Sequence, residues 1–161
     1  MTVQFNTSNV VSGNLDASDK YAATTAKVMV TGDTIFTVGT GDILIWALAS
    51  ECYTANNATA STIQYSVFNP ATAATQTISA ASASLANAAV GVSALAQLGA
   101  LTNAPVITTA AGVGSFPWGA IRVPAGCQIK TVIGVGSTVG TWKHYIKYTV
   151  LENGGSVTAA F

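Results

Sequence analysis

The sequence predicts an all-β fold, an antiparallel β-sandwich, and three observations predict it. Short runs of β-branched and aromatic residues alternate with polar ones along most of the chain. Gly, Pro, Asn and Asp turn signals separate these runs every eight to fifteen residues or so. No fixed repeat runs through the sequence, which favours a jelly-roll-like sandwich over a propeller or a β-helix. At 161 residues the chain is one domain, large enough to bury roughly 68–70% of its unfolded surface.

The elements follow in order. Residues 1–20 carry little pattern and read as an extended N-terminal arm, with Phe5, Val10 and Val11 as its anchors. The sandwich domain spans 21–161. Residues 27–31 alternate, and 34–38 are β-branched and aromatic before a turn at Gly39-Thr40-Gly41-Asp42. Ile43 to Tyr53 is the strongest strand. Ile43, Ile45, Ala47 and Ala49 fall on one side and Leu44, Trp46, Leu48 and Cys52 on the other, so it is expected to be central or covered twice, with Trp46 in the core. Residues 54–60 form a loop, and 61–69 form a strand expected to pair with 43–53. Pro70 ends it.

Residues 71–101 are ambiguous. A short strand at 75–79 is followed by an Ala-rich stretch, 82–101, whose Leu85, Ala89, Val92, Ala96 and Leu98 nearly fit helical spacing. It reads as a short helix or an irregular strand. Short strands resume at 105–109 and 120–123. Pro124-Ala125-Gly126 is a tight turn, 127–135 a strand, and 136–140 a turn. In 141–150, Trp142, His144, Ile146, Tyr148 and Val150 share one face. Gly154-Gly155 turns the chain into a last strand at 156–160.

Composition narrows function. Apolar residues make up 50% of the chain and charged residues only 7%, with six basic and six acidic residues cancelling; a typical domain carries about 25% charged. A nucleic-acid binder needs a basic face, so none is expected. A polybasic membrane contact is excluded on the same ground. From Cys52 to Ile121 there is no Asp, Glu, Lys, Arg or His. Two readings of that gap compete: a hydroxyl- and amide-rich solvated surface, or a surface that meets other subunits, where charge is costly to desolvate. The second is preferred. The N-terminus lacks the basic and apolar regions of a signal peptide, and the Ala80–Leu101 run is broken by Ser, Asn and Gln, so neither secretion nor a membrane span is expected and synthesis in a cytoplasm is the default.

Candidate chemistry is sparse. His144, the single histidine, lies in core register and reads as a packing residue. A nucleophilic set can be written from Cys52, His144 and Glu51, but nothing local supports it. Cys52 and Cys127 read as free buried thiols, and one histidine with two distant cysteines makes no zinc site. Asp33 and Asp42 each adjoin a glycine, as turn residues do, and no calcium-loop run surrounds them. Gly39-Thr40-Gly41 and Gly134-Val135-Gly136 precede strand or turn patterns, not a helix, so no phosphate cradle is expected. Asn6-Thr7-Ser8 and Asn57-Ala58-Thr59 match the glycosylation pattern without a secretory signal. Trp118, between Pro117 and Gly119, is the aromatic expected to make an exposed contact. No enzyme, cofactor or metal is expected.

Three segments carry a resemblance. They are Gly-Asp-Ile-Leu-Ile-Trp-Ala-Leu-Ala-Ser-Glu-Cys-Tyr-Thr (41–54), the Ile-Arg-Val-Pro-Ala-Gly-Cys-Gln-Ile hairpin (121–129), and the ending from Gly140 to Ala160. In this order they resemble small virion structural proteins of tailed bacteriophages. Val150 stands where a proline is common in that pattern and Gly155 where an alanine is. The resemblance implies a jelly-roll sandwich on the capsid exterior, a decoration or cement protein, often a homotrimer. Its partners would be further copies of itself and the major capsid protein, with Phe5, Val10, Val11 and Trp118 as expected contact residues. The alternative is a head-fibre, tail or baseplate component that binds carbohydrate through Trp118.

Overall fold

The computed structural model describes residues 19–116, 119–135 and 137–161, with nothing described of the Ser137 side chain. The expected contact residues Phe5, Val10, Val11 and Trp118 lie outside the described residues, as does the expected arm up to residue 18. The described chain forms twelve strands: β1 (Lys20–Ala23), β2 (Lys27–Val30), β3 (Thr34–Val38), β4 (Ile43–Cys52), β5 (Ile63–Asn69), β6 (Ala74–Thr77), β7 (Ser93–Leu95), β8 (Val106–Ile107), β9 (Ile121–Val123), β10 (Gln128–Ile133), β11 (Ser137–Val150) and β12 (Val157–Ala159). They build two antiparallel sheets packed face to face, a β-sandwich. The larger runs β1-β11-β4-β7-β8, with β2 also on β11 and β9 also on β4; the smaller runs β12-β3-β10-β5-β6.

The long strand β11 organises the larger sheet. Its alternation sets Trp142, His144, Ile146, Tyr148 and Val150 against the smaller sheet, all buried. Facing them from the other layer are Phe36, Ile63, Tyr65, Ile129 and Ile133, each fully or nearly fully buried. Each large apolar side chain so buried contributes about 1.5–3 kcal/mol. Cys52 and Cys127 are buried free thiols.

Four expectations are corrected. β4 and β5 do not pair: β4 lies between β11 on one side and β7 and β9 on the other, while β5 pairs with β10 and β6 in the opposite sheet. The 53–62 connection crosses the sandwich instead of closing a hairpin. The 82–101 stretch holds no helix; Leu85, Ala88 and Val92 enter the core from turns, and only Ser93–Leu95 is strand. Residues 137–140 are not a turn but the first part of β11, paired with β2 through a register shift between Ser137 and Thr141. Trp46 is 41% exposed. A bulge opposite Lys147/Tyr148 reverses the alternation of β4 midway, so Ile43 and Ile45 and then Leu48, Ser50 and Cys52 point inward while Trp46 turns out. Its indole N–H donates to Thr149 Oγ1 at 2.8 Å.

Asn56 fixes the crossing loop. Its amide donates to Ser61 Oγ and the Leu85 carbonyl, each at 3.0 Å, and its Oδ1 accepts from the Val139 and Gly140 N–H groups at 3.0 and 3.1 Å. One buried side chain thereby ties the loop, the 82–92 turns and the irregular start of β11.

Candidate interface on the outer face of the larger sheet

The outer face of the larger sheet is where the fold departs most from a solvated sandwich. Such a face normally alternates to polar side chains. Here the cross-strand register lines up Ala23, Tyr145, Ala49, Leu95 and Val106 across five strands. The next row sets Tyr21 beside Lys147 and Ala47. Small alanines at the centre and aromatic rings around them leave a trough of about 430 Å³, walled by Tyr21, Ala47, Ala49, Phe116, Tyr145 and Lys147. Tyr21 is 70% exposed, and Phe116 and Tyr145 are also exposed.

Phe116 reaches the trough because the 108–116 loop folds back over the sheet. Gly114 lies so close to Leu95 that a Cβ there would meet Leu95 Cδ1 at 2.6 Å. Farther on, Gly119 meets the Gly99 backbone, with no room for a side chain. These contacts bury Leu95 from outside and make the loop one wall of the trough.

Charges on this face are matched locally. Lys147 pairs with Asp19 at 2.7 Å, and this partner pushes the Lys147 ammonium up. Lys143 sits 4.2 Å from the centre of the Tyr53 ring, a cation–π contact. Tyr145 is pushed up by partial burial and then by its hydrogen bond to the Glu51 carboxylate. What the face offers a partner is ring edges and apolar floor with its cations already engaged. That suits packing against protein.

The residues considered for catalysis are not assembled. His144 Nδ1 lies 2.7 Å from Ser50 Oγ, its cross-strand partner, while Cys52 lies opposite Trp142. Burial lowers the His144 imidazole to about 4, with Asp33 and Lys27 making opposed smaller contributions. Cys52 Sγ donates to the Thr54 and Ala88 carbonyls, and burial pushes its thiol up, away from thiolate reactivity. Glu51 lies opposite Lys143 in the β4–β11 register, and its carboxylate accepts from the Tyr145 hydroxyl. Asp33 is a turn residue, bound to Lys27 Nζ at 2.9 Å and to the Val30 N–H. Asp42 does more than turn the chain: it is buried, accepts from the Ala125 N–H at 2.9 Å, and pairs with Arg122, clamping the 124–126 turn to the start of β4. Among the described residues no three His, Cys, Asp or Glu groups gather to hold a metal, and no helix is long and apolar enough to cross a membrane.

The charge-free segment has a definite place. It supplies β5 to β8, the ends of both sheets away from β1 and β12. Every charged residue among the described ones falls on the other strands and their turns. The strands of one flank of the sandwich are thus built without Asp, Glu, Lys, Arg or His.

Sequence reasoning missed the trough. Ala47 and Ala49 signal nothing alone; only pairing with β11 and β1 surrounds them with tyrosines. Comparison with known protein families, with curated proteins and with solved structures finds no match to this chain.

Proposed function

We propose that this chain is a structural protein of a bacteriophage virion, a decoration or cement protein that seats on the capsid exterior and stabilises it without turnover. Its partners would be further copies of itself, as a homotrimer, and the major capsid protein. The observation that carries this is the apolar outer face around Ala47, Ala49 and Tyr145. Contiguous exposed apolar surface on a small domain marks a contact with another macromolecule. The charge-free flank supports the same reading, because it can be covered without desolvating ions. So does the jelly-roll expectation, since the chain changes sheet between β3, β4 and β5 and again between β9, β10, β11 and β12. Many weak seats on one shell reinforce each other through effective concentration.

The test is addition of purified protein to decoration-free capsids. Stoichiometric, saturable binding that raises the temperature of capsid disruption is expected. A protein that stays monomeric and leaves capsids bare overturns the proposal.

A further inference from the structure

Among the described residues, the smaller sheet ends in an edge with none of the usual protection. Natural edge strands are shielded by lysine, proline, a bulge, extreme shortness or a cover. β8 is only two residues long. β1 carries Lys20 and begins at the Asp19–Lys147 pair. β12 lies beside the β1–β2 connection, where the Thr25 N–H donates to the Phe161 carbonyl at 3.0 Å. β6 has no such device. Its four residues, Ala74-Thr75-Gln76-Thr77, are all exposed and carry no charge and no proline. Its register with β5 is regular.

The parity of that register says which main-chain groups face outward. The Ile78 N–H donates to the Tyr65 carbonyl at 3.0 Å, so Gln76 and Ala74, opposite Val67 and Asn69, turn their N–H and C=O groups to β5. Thr75 and Thr77 turn theirs to the free edge. The Gln76 side chain already occupies one of these groups: its Nε2 donates to the Thr77 carbonyl at 2.8 Å.

We propose that the free edge of β6 pairs antiparallel with β6 of a second copy, joining two smaller sheets into one continuous sheet. In the two-fold arrangement Thr75 exchanges both main-chain hydrogen bonds with Thr77 of the other copy, and reciprocally, with the two Gln76 residues facing each other at the axis. The strand is complementary to itself. Threonine–threonine neighbours are favourable across strands, each glutamine amide both donates and accepts, and no like charges meet. A carbonyl accepts twice, so the Gln76–Thr77 contact survives pairing. Antiparallel self-pairing is two-fold by necessity, so it doubles whatever oligomer the other surfaces make. This goes beyond the decoration proposal and stands without it.

The experiment is sedimentation of the full chain from micromolar to millimolar concentration, with amide hydrogen exchange on the same samples. Wild type is expected to double in mass, with Thr75 and Thr77 amide exchange slowed by about tenfold or more. Thr75→Pro removes an outward N–H that the β5 ladder does not use, and Thr77→Lys places a cation on the edge; each is expected to abolish the doubling while amides of β4 and β11 stay protected. Absence of doubling in wild type overturns the proposal. Doubling that persists in both folded variants, or unslowed exchange at Thr75 and Thr77, overturns it equally. Loss of capsid binding by the same variants is not required, so the two proposals fail separately.

Discussion

The hydroxyl of Tyr65 lies 2.7 Å from the hydroxyl of Ser50, and this pair joins the two sheets through the middle of the core. Tyr65 comes from β5 and Ser50 from β4. Tyr65 Oη also donates to the Ala94 carbonyl at 3.2 Å, and Ser50 Oγ meets His144 Nδ1 at 2.7 Å. A donor order that satisfies every atom runs from His144 Nδ1–H to Ser50, from Ser50 to Tyr65, and from Tyr65 to Ala94. Burial pushes the Tyr65 phenol up, so it stays a donor. Fully satisfied buried networks of this kind fix one alignment of the layers.

Tyr65→Phe keeps the ring and strands both Ser50 and the Ala94 carbonyl. A loss of about 1–3 kcal/mol is expected in urea unfolding. Ser50→Ala should cost a similar amount, and the double variant less than the sum, because both changes break one chain. Strict additivity would show that the hydroxyls act independently.

His144 makes stability depend on pH. Its folded value, about 4, lies below its ordinary 6.5 because burial disfavours the imidazolium. The unfolded chain therefore binds the proton first as pH falls. Stability from this group is intact above about pH 6.5, declines between 6.5 and 4, and levels off below, a change on the order of 3 kcal/mol. Urea midpoints measured across that window should fall for wild type and change less in His144→Gln. An imidazole that titrates near 6.5 by NMR would contradict this.

Asn56→Ala removes a side chain with four buried contacts. A cost of about 2–4 kcal/mol is expected in thermal unfolding, because two N–H groups and a carbonyl lose their partner. Asn56→Asp should be no better, since it keeps the acceptor but buries a charge in place of the donors.

Ala47→Glu places a carboxylate in the trough without touching the core cluster. Folding stability is expected to shift by less than about 1 kcal/mol, while the proposed association with capsids should weaken at least about tenfold. Undiminished association would show that the outer face of the larger sheet is not the seat.

Much of the fold was legible where one face is buried. The alternation of Trp142, His144, Ile146, Tyr148 and Val150 placed β11, and Pro70 and Pro124-Ala125-Gly126 marked real ends. Simple alternation puts Trp46 on the wrong face because a bulge shifts parity without leaving a trace in composition. Neighbours in sequence usually pair, which suggests a β4–β5 hairpin, whereas the loop held by Asn56, whose partners lie up to 84 residues away, crosses between the sheets instead. Leu85 and Val92 mimicked a helix because buried turns also space apolar residues three and four apart. The apolar trough depends on cross-strand register, which a linear pattern does not contain, although the lack of charge from Cys52 to Ile121 did foreshadow the uncharged flank.

The most direct measurement of the proposed role is a residue-resolution image of decoration-free capsids to which the purified chain has been added. Tyr21, Ala47 and Tyr145 should lie beneath another polypeptide, with the β5–β8 flank against a neighbouring copy or the shell. Finding the trough and that flank both open to solvent would contradict the role assigned to them.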